Sequence, residues 1–472
     1  MEPAAILQLC QAAQQAIASG DVSRAEQLVL PVLRQHPAEP NLLFLGGICS
    51  MLRGNDDSAI RHFQDVLDRA PTYVPALVNL GFLYRRQHNL VLARQLLERA
   101  VLHEPDNGAA WTTLAGSYVN EGQPAVGEQV ARRGLARCPH SADLQWNLAL
   151  LLLEQGFWRE GWQWYRHRFE STVLDLPAAY SGPGCPPRLH NPAAISVGET
   201  VLCLGEQGLG DEILFASMMH DFLDDVTGRG GRLFFKGNRR LEVPFRRSFP
   251  GLTVLPPTDQ PVAADWICPI GDLGGFYRNN AADFPHHRGY LTAADDRVAA
   301  IRRELHNRFG RRFLVGLAWS GGSPRTHQRY RQIPLENWLP VLRQPYQFVS
   351  LQYRDDTADV SRLWHEHRIK VARLPHLTQA DDYDETFSLV AALDLVITVP
   401  TSVLHVAGSV GTPCWVVMDH RAAWRETSLN DAIIWYPDTH LRYVRPPETI
   451  GWKTIIEQVS TELASRLTSR GH

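Results

Sequence analysis

The chain has 472 residues, 44% of them apolar and 21% charged, with a formal net charge of −3. That length allows two to four domains with real cores. The near-neutral balance gives no electrostatic case for nucleic acid or an anionic membrane surface, and no run is long and apolar enough for a bilayer span. Seven isolated cysteines (Cys10, Cys49, Cys138, Cys185, Cys203, Cys268 and Cys414) point to buried thiols in a reducing compartment rather than a disulfide framework. No basic segment and apolar run come after Glu2 and Pro3, so no signal peptide is expected and the expected location is cytoplasmic. Nor does any His or Cys cluster have metal-ligand spacing, and no metal is expected.

The N-terminal third is periodic. Pro37, Pro71, Pro105 and Pro139 are each 34 residues apart, and the same step links Gly20, Gly54, Gly122 and Gly156, with His88 in the remaining slot. Small residues recur at two further phases: Ala13, Gly47, Gly81, Ala115 and Ala149, then Ala25, Ala59, Ala93, Gly127 and Gly161. Small residues let paired helices approach closely, and a proline ends the second helix of each pair. The period predicts about five helix pairs within residues 1–170, a solenoid that resembles tetratricopeptide repeats. Such a stack presents a curved surface for a protein or peptide; a spacer or dimerisation arm is the alternative, which leaves a homo-oligomer open. The aromatic run Trp158–Phe169 is expected to cap the array and join it to the next domain. Residues 171–198, rich in Pro and Gly, read as a linker.

From Glu199 onwards, apolar runs alternate with helical patterns. Strands are predicted at Thr200–Leu204, Arg232–Phe235, Thr253–Leu255 and Trp266–Pro269, with helices near Glu212–Leu223 and Arg239–Phe249. A second set has strands at Phe313–Trp319, Gln347–Leu351, Lys370–Arg373, Leu395–Val399 and Cys414–Val417. Its helices are predicted at Leu335–Leu342, Tyr383–Leu393 and Val403–Val410, and a last one at Trp452–Leu467 that packs back across the first lobe. This alternation implies two parallel, doubly wound lobes, residues 199–292 and 293–472, with ligands at the C-terminal strand ends.

The stretch Gly205-Glu206-Gln207-Gly208-Leu209-Gly210-Asp211-Glu212 turns a strand into a helix. Its glycine spacing is not the dinucleotide fingerprint, and no Gly-Lys-Ser/Thr comes after it, which excludes a P-loop. Asp211 reads either as a helix cap or as a general base on a cleft between lobes.

This stretch resembles the signature of bacterial tetratricopeptide-repeat proteins fused to a glycosyltransferase of the heptosyltransferase-like family (family nine). The segment Gly161-Trp162-Gln163-Trp164-Tyr165 resembles the junction in those proteins. The likeness implies the GT-B fold, two facing Rossmann-like lobes. It also implies metal-independent, inverting transfer of a sugar from a nucleoside-diphosphate sugar to a hydroxyl, with Asp211 as general base and Gly208 and Gly210 in the glycine turn. On the second lobe, Ser320 and Gly321 match the family's first phosphate-facing loop. Arg331 stands where a lysine of heptosyltransferases neutralises the leaving diphosphate, with Arg325, His327 and Arg329 near enough to share the role; a solvated basic loop is the plain alternative. Pro400-Thr401-Ser402 stands in place of Asp-Thr-Gly, which makes a heptose donor less expected; Thr401, Ser402 and His405 carry over to the donor phosphates. His405 reads equally as a satisfied core residue. Gln352, Tyr353 and Met418 are candidate contacts to the base. Asp381 and Asp382 read as helix-capping residues, with Asp384 open to the cleft.

The expected function is therefore sugar transfer to a protein or glycan acceptor chosen by the repeats. A non-catalytic adaptor that binds nucleotide or nothing, and an enzyme with a lipid-linked acceptor, are the alternatives.

Overall fold

A computed structural model describes residues 3–87, 89–120, 122–171, 174–177, 180–181, 184–256, 262–284, 289–322, 331–379, 381–418, 424–429, 431–442 and 452–468. The chain divides into two compact units, Met1–Leu152 with Trp164–Val173, and Leu153–Gln163 with Leu174–His472. Among the described residues no helix is long and apolar enough to cross a membrane.

The first part of the chain is helical throughout: α1 Pro3–Ala18, α2 Val22–Gln35, α3 Pro40–Leu52, α4 Asp56–Arg69, α5 Val74–Arg86, α6 Leu90–His103, α7 Gly108–Asn120, α8 Pro124–Leu135, α9 Ala142–Glu154 and α10 Trp158–Tyr165. The periodic residues explain the pairing. Gly20, Gly54, Gly122 and Gly156 all take left-handed backbone angles, φ +71° to +82°, in the turn within a pair, where any side chain is strained. His88, the non-glycine at this phase, lies outside the described residues. Asp21, Asn55 and Asn89 open α2, α4 and α6 by accepting the N–H of Arg24, Ser58 and Leu92. At the close-approach phase a β-carbon on Gly47 would sit 2.5 Å from the Phe63 ring, and one on Gly81 would sit 2.7 Å from Leu97.

The second unit holds two sheets. β1 Thr200–Leu204, β2 Arg232–Lys236, β3 Thr253–Val254 and β4 Trp266–Pro269 form a parallel sheet in the order β3-β2-β1-β4. Its helices are α11 Leu209–Phe215, α12 Met219–Gly228, α13 Glu242–Ser248 and α14 Leu273–Tyr277. The second sheet, in the order β10-β11-β12-β9-β8-β5-β6-β7, comprises β5 Leu314–Ala318, β6 Gln347–Ser350, β7 Val371–Ala372, β8 Leu395–Thr398, β9 Cys414–Val417, β10 Ser428–Leu429, β11 Ala432–Ile433 and β12 Tyr436–Arg442. With it go α15 Asp295–Phe309, α16 Leu339–Leu342, α17 Thr357–His367, α18 Tyr383–Ala391, α19 Ser402–Val410 and α20 Trp452–Thr468. β1, β5, β6, β8 and β9 are buried at every position, the mark of parallel strands covered on both faces.

Two expectations are corrected, and two features were not anticipated. The described part of 171–198 is not a free linker: Leu189 N–H donates to Ile267, Ile267 N–H donates to Pro187, and Arg188 forms a two-pronged pair with Asp272. β4 is an edge strand, and this segment supplies partners for its backbone. Near the expected boundary at 170, Trp164–Val173 groups with the first unit and Leu153–Gln163 with the second. There Trp158 packs on Phe284, and Trp162 meets Phe215, Trp424 and Trp435 while its indole N–H donates to Arg278. The final helix packs on the second lobe rather than across the first: Ile455, Ile456, Val459 and Leu463 join the core of Trp338, Val341 and Leu342, and Tyr346 Oη donates to Leu463. Finally, α17 and the antiparallel β10-β11-β12 run were not anticipated; β12 reads Tyr-Pro-Asp-Thr-His-Leu-Arg, too polar to signal a strand.

Gly47→Val should destabilise the repeats by about 1–3 kcal/mol, read as an earlier loss of helical circular dichroism on denaturation. Unchanged stability would mean that α3 and α4 do not need the contact with Phe63.

Candidate functional site

The strand order reverses between β1 and β4 in the first sheet and between β5 and β8 in the second. At such a point the connections leave in opposite directions and open a crevice beyond the strand ends. The glycine turn follows β1. Gly321 and Pro400-Thr401 follow β5 and β8. Helices α11 and α19, which start from these ends, pack on each other. Gly210 makes the contact, since a β-carbon there would sit 2.7 Å from Cδ2 of His405.

The two ends line one cavity of about 570 Å³. Gly208, Gly210, Asp211 and Arg240 reach it from the first lobe; Arg331, Tyr353, Arg354, Thr401, Ser402, His405 and Arg425 reach it from the second. Asp211, Arg331 and Thr401 were singled out from sequence and are brought together here.

Asp211 is not the cap of its helix. Gly208 occupies that position, and the Asp211 carboxylate instead accepts a hydrogen bond from Nε of Arg425, whose Nη2 donates to Gln207 Oε1 at 2.8 Å. Gln207 takes φ +65°, an uncommon angle for a side-chain-bearing residue, in the turn that presents this amide. The neighbouring Glu212 faces the other way, because successive helical residues are about 100° apart. Its carboxyl wedges between two glycine turns: a β-carbon on Gly205 would lie 2.6 Å from its Cδ, and one on Gly237 would lie 2.5 Å from its Oε2. It accepts the Asn238 N–H at 2.9 Å. Burial pushes its pKa up to about 7, with Asp211 and Glu206 adding to the rise and the Asn238 N–H opposing it.

On the second lobe, Arg331 is set by backbone pairing. Gly321 N–H donates to Arg331, Ile333 N–H donates to Trp319, and Ser320 pairs with Gln332. Thr401 caps α19 by accepting the Val403 N–H, and Ser402 Oγ bonds Tyr383 Oη at 2.7 Å. His405 is buried, with Nδ1 2.9 Å from Tyr436 Oη. Burial, then the charges of Arg425 and Arg331, hold its pKa down at about 3, so it is neutral at physiological pH.

The remaining expectations divide. Ser320 and Gly321 are not among the residues that line the cavity; Ser320 Oγ accepts from Gln352 Nε2 and Gly321 lies against Thr401. Tyr353 lines the cleft and, with Gln352, a second cavity of about 400 Å³. Met418 is buried at the end of β9, outside the residues lining either cavity. Arg325, His327 and Arg329 lie outside the described residues. Asp382 caps α18 as expected. Asp381 pairs with exposed Arg239, and Asp384 pairs with Arg247 across the lobes at 2.7 Å rather than standing open. Sequence reasoning missed Arg240, Arg354 and Arg425; an isolated arginine in a loop carries no periodic or spacing signal. Among the described residues no cluster of three or more His, Cys, Asp or Glu is arranged to hold a metal.

Glu212 has a measurable consequence. Its folded pKa lies above the unfolded value, so its contribution to stability is complete below about pH 4.5 and lost as pH rises through about 7. Between pH 5 and 8 the wild type should lose up to about 3 kcal/mol relative to Glu212→Gln, measured by chemical denaturation. Parallel pH profiles would show that the carboxyl is hydrated in the folded protein.

Comparisons with known proteins place the repeats. Residues 10–74 and 50–118 match two tetratricopeptide-repeat family models. The protein FlbA of Caulobacter vibrioides is 28% identical over 338 residues, 68% of this chain, and the chain spans about half (55%) of that relative's length. Among solved structures, a thermophilic tetratricopeptide-repeat protein of Thermus thermophilus aligns with TM-score 0.32 and 20% identity over 35% of this chain and 91% of that one. PilF of Pseudomonas aeruginosa aligns with TM-score 0.36 and 12% identity over 52% of this chain and 91% of that one. The N-terminal helix pairs are thus tetratricopeptide repeats, units that imply a role in protein interaction, and they precede a region of parallel α/β sheets.

Proposed function

We propose that the second unit is a GT-B glycosyltransferase that moves a sugar from a nucleoside-diphosphate sugar to a hydroxyl, and that the repeats select the protein or glycan bearing it. The observation that carries this reading is the shared cleft: the Asp211 carboxylate, Arg331 and the start of α19 line one cavity of about 570 Å³. In the transfer, the acceptor O–H gives its proton to the Asp211 carboxylate while its oxygen bonds the anomeric carbon. The bond from that carbon to the β-phosphate oxygen breaks, and the nucleoside diphosphate leaves with the electron pair. Attack opposite the leaving group inverts the anomeric centre. Arg331 and the N–H groups at the start of α19 meet the developing charge, a role that fixed cations and amides fill without reorganising.

The adjoining cavity supports a place for the nucleoside. It shares Tyr353 and Arg354 with the cleft, and Gln352 also lines it. An adaptor that binds only partners has no need of Asp211 and Arg331 on facing walls, which is why transfer is preferred.

A thermal-shift panel of nucleoside diphosphates and nucleotide sugars on the full chain should raise the melting temperature for one base. With that donor, Asp211→Asn should lower transfer about 100- to 10,000-fold while diphosphate binding persists. Arg331→Ala should weaken the diphosphate about tenfold and leave the free nucleoside nearly unchanged. No stabilisation by any nucleotide would favour the adaptor, and equal loss of both ligands would remove Arg331 from the phosphates.

A further inference from the structure

Asp211 is engaged by Arg425. For a carboxylate that must take a proton from an incoming hydroxyl, this is a competing partner, since the guanidinium fills one of the lone pairs of Oδ1. The pair also bridges the lobes, from α11 to the Trp424–Glu426 turn of the second lobe.

Three features make Arg425 a group that can change partners. Its side chain is 27% exposed and that of Asp211 18%, so neither charge is sealed in a dry interior, where separation costs most. The guanidinium also rests on the Trp424 ring, 4.7 Å from its centroid, a flat apolar support that does not fix its hydrogen bonds. The cleft is cationic as well: Arg240, Arg331, Arg354 and Arg425 line it against Asp211 and Glu426. A diphosphate carries more charge than one carboxylate and offers oxygens in the geometry that a guanidinium grips with two N–H groups. Arg425 and Arg331 both act on His405, which stands on the first turn of α19 beside Thr401. A phosphate at Thr401 therefore lies within the field of both.

Building on the donor-site reading above, we propose that Arg425 is a shared cation: it pairs with Asp211 as seen here, and a nucleoside diphosphate in the cleft draws the guanidinium away and frees the carboxylate. Acceptor activation then waits for the donor, which limits loss of the sugar to water. Gln207, the second anchor of Arg425, holds the resting position.

The test is a double-mutant cycle in binding, by calorimetry on the full chain, with UDP, GDP, ADP and inorganic pyrophosphate as probes. Thermal melts confirm that each variant is folded. Asp211→Asn should tighten diphosphate binding about three- to tenfold, because Arg425 no longer has to leave a charged partner. Arg425→Gln should weaken binding about tenfold, and adding Asp211→Asn to it should then change little. Equal tightening by Asp211→Asn with and without Arg425 overturns the shared-cation proposal and leaves the donor site standing. Binding of none of the probes to wild type or Asp211→Asn overturns both.

Discussion

Gly210 lies against the ring of His405 with no room for a β-carbon, and the candidate site depends on that close approach. A helix as short as α11 brings little surface to a contact between lobes. Only a glycine lets the backbone of its first turn come within van der Waals distance of α19. Once it does, Asp211, the next residue, faces the start of α19 and the arginines around it. A larger residue at 210 would have to push the lobes apart, and the carboxylate would lose its place opposite Arg331.

Electrostatics then sorts two adjacent acids into different roles. Asp211 stands in a cleft with four arginines on its walls and is held by one of them. Glu212, one residue on, is turned into the first lobe between two glycine turns, where burial raises its pKa to about 7. The rotation of a helix separates them, and the glycines at 205 and 237 make the space. His405 shows the same logic with the opposite sign, as burial, and then the guanidinium groups of Arg425 and Arg331, keep the imidazole neutral. A neutral ring beside a positive cleft adds no further repulsion between cations and gives shape to the wall that Thr401 begins.

The second unit is tied by more than the site. Arg247 grips Asp384 with two N–H groups across the lobes, and Arg188 grips Asp272 where an otherwise open sheet edge is covered. Trp162, whose indole donates to Arg278, fills a space lined by Phe215, Trp424 and Trp435. Because Trp424 precedes Arg425 and Phe215 ends α11, this aromatic packing fixes both carriers of the Asp211–Arg425 pair.

Much of this was legible from local pattern. A 34-residue recurrence of glycine and proline is a statement about turns, and turn geometry is decided by the residues in the turn, so the helix pairs could be read directly. Apolar runs marked β1, β5 and β8, the first two running into glycine turns and the third into Pro400-Thr401, and hence the positions of Asp211 and Thr401 at strand ends. Arg425 could not be read in this way, nor could the inward turn of Glu212, the docking of residues 187–189 on β4, or the seat of α20 on the second lobe. Each depends on which distant segment arrives to satisfy a charge, a backbone group or an apolar stripe. An arginine in a loop is compatible with many partners, and an amphipathic helix fits any apolar groove of the right length. Those choices are made by packing between segments that are distant along the chain, such as Asp211 and Arg425, and leave no trace in the spacing of residues.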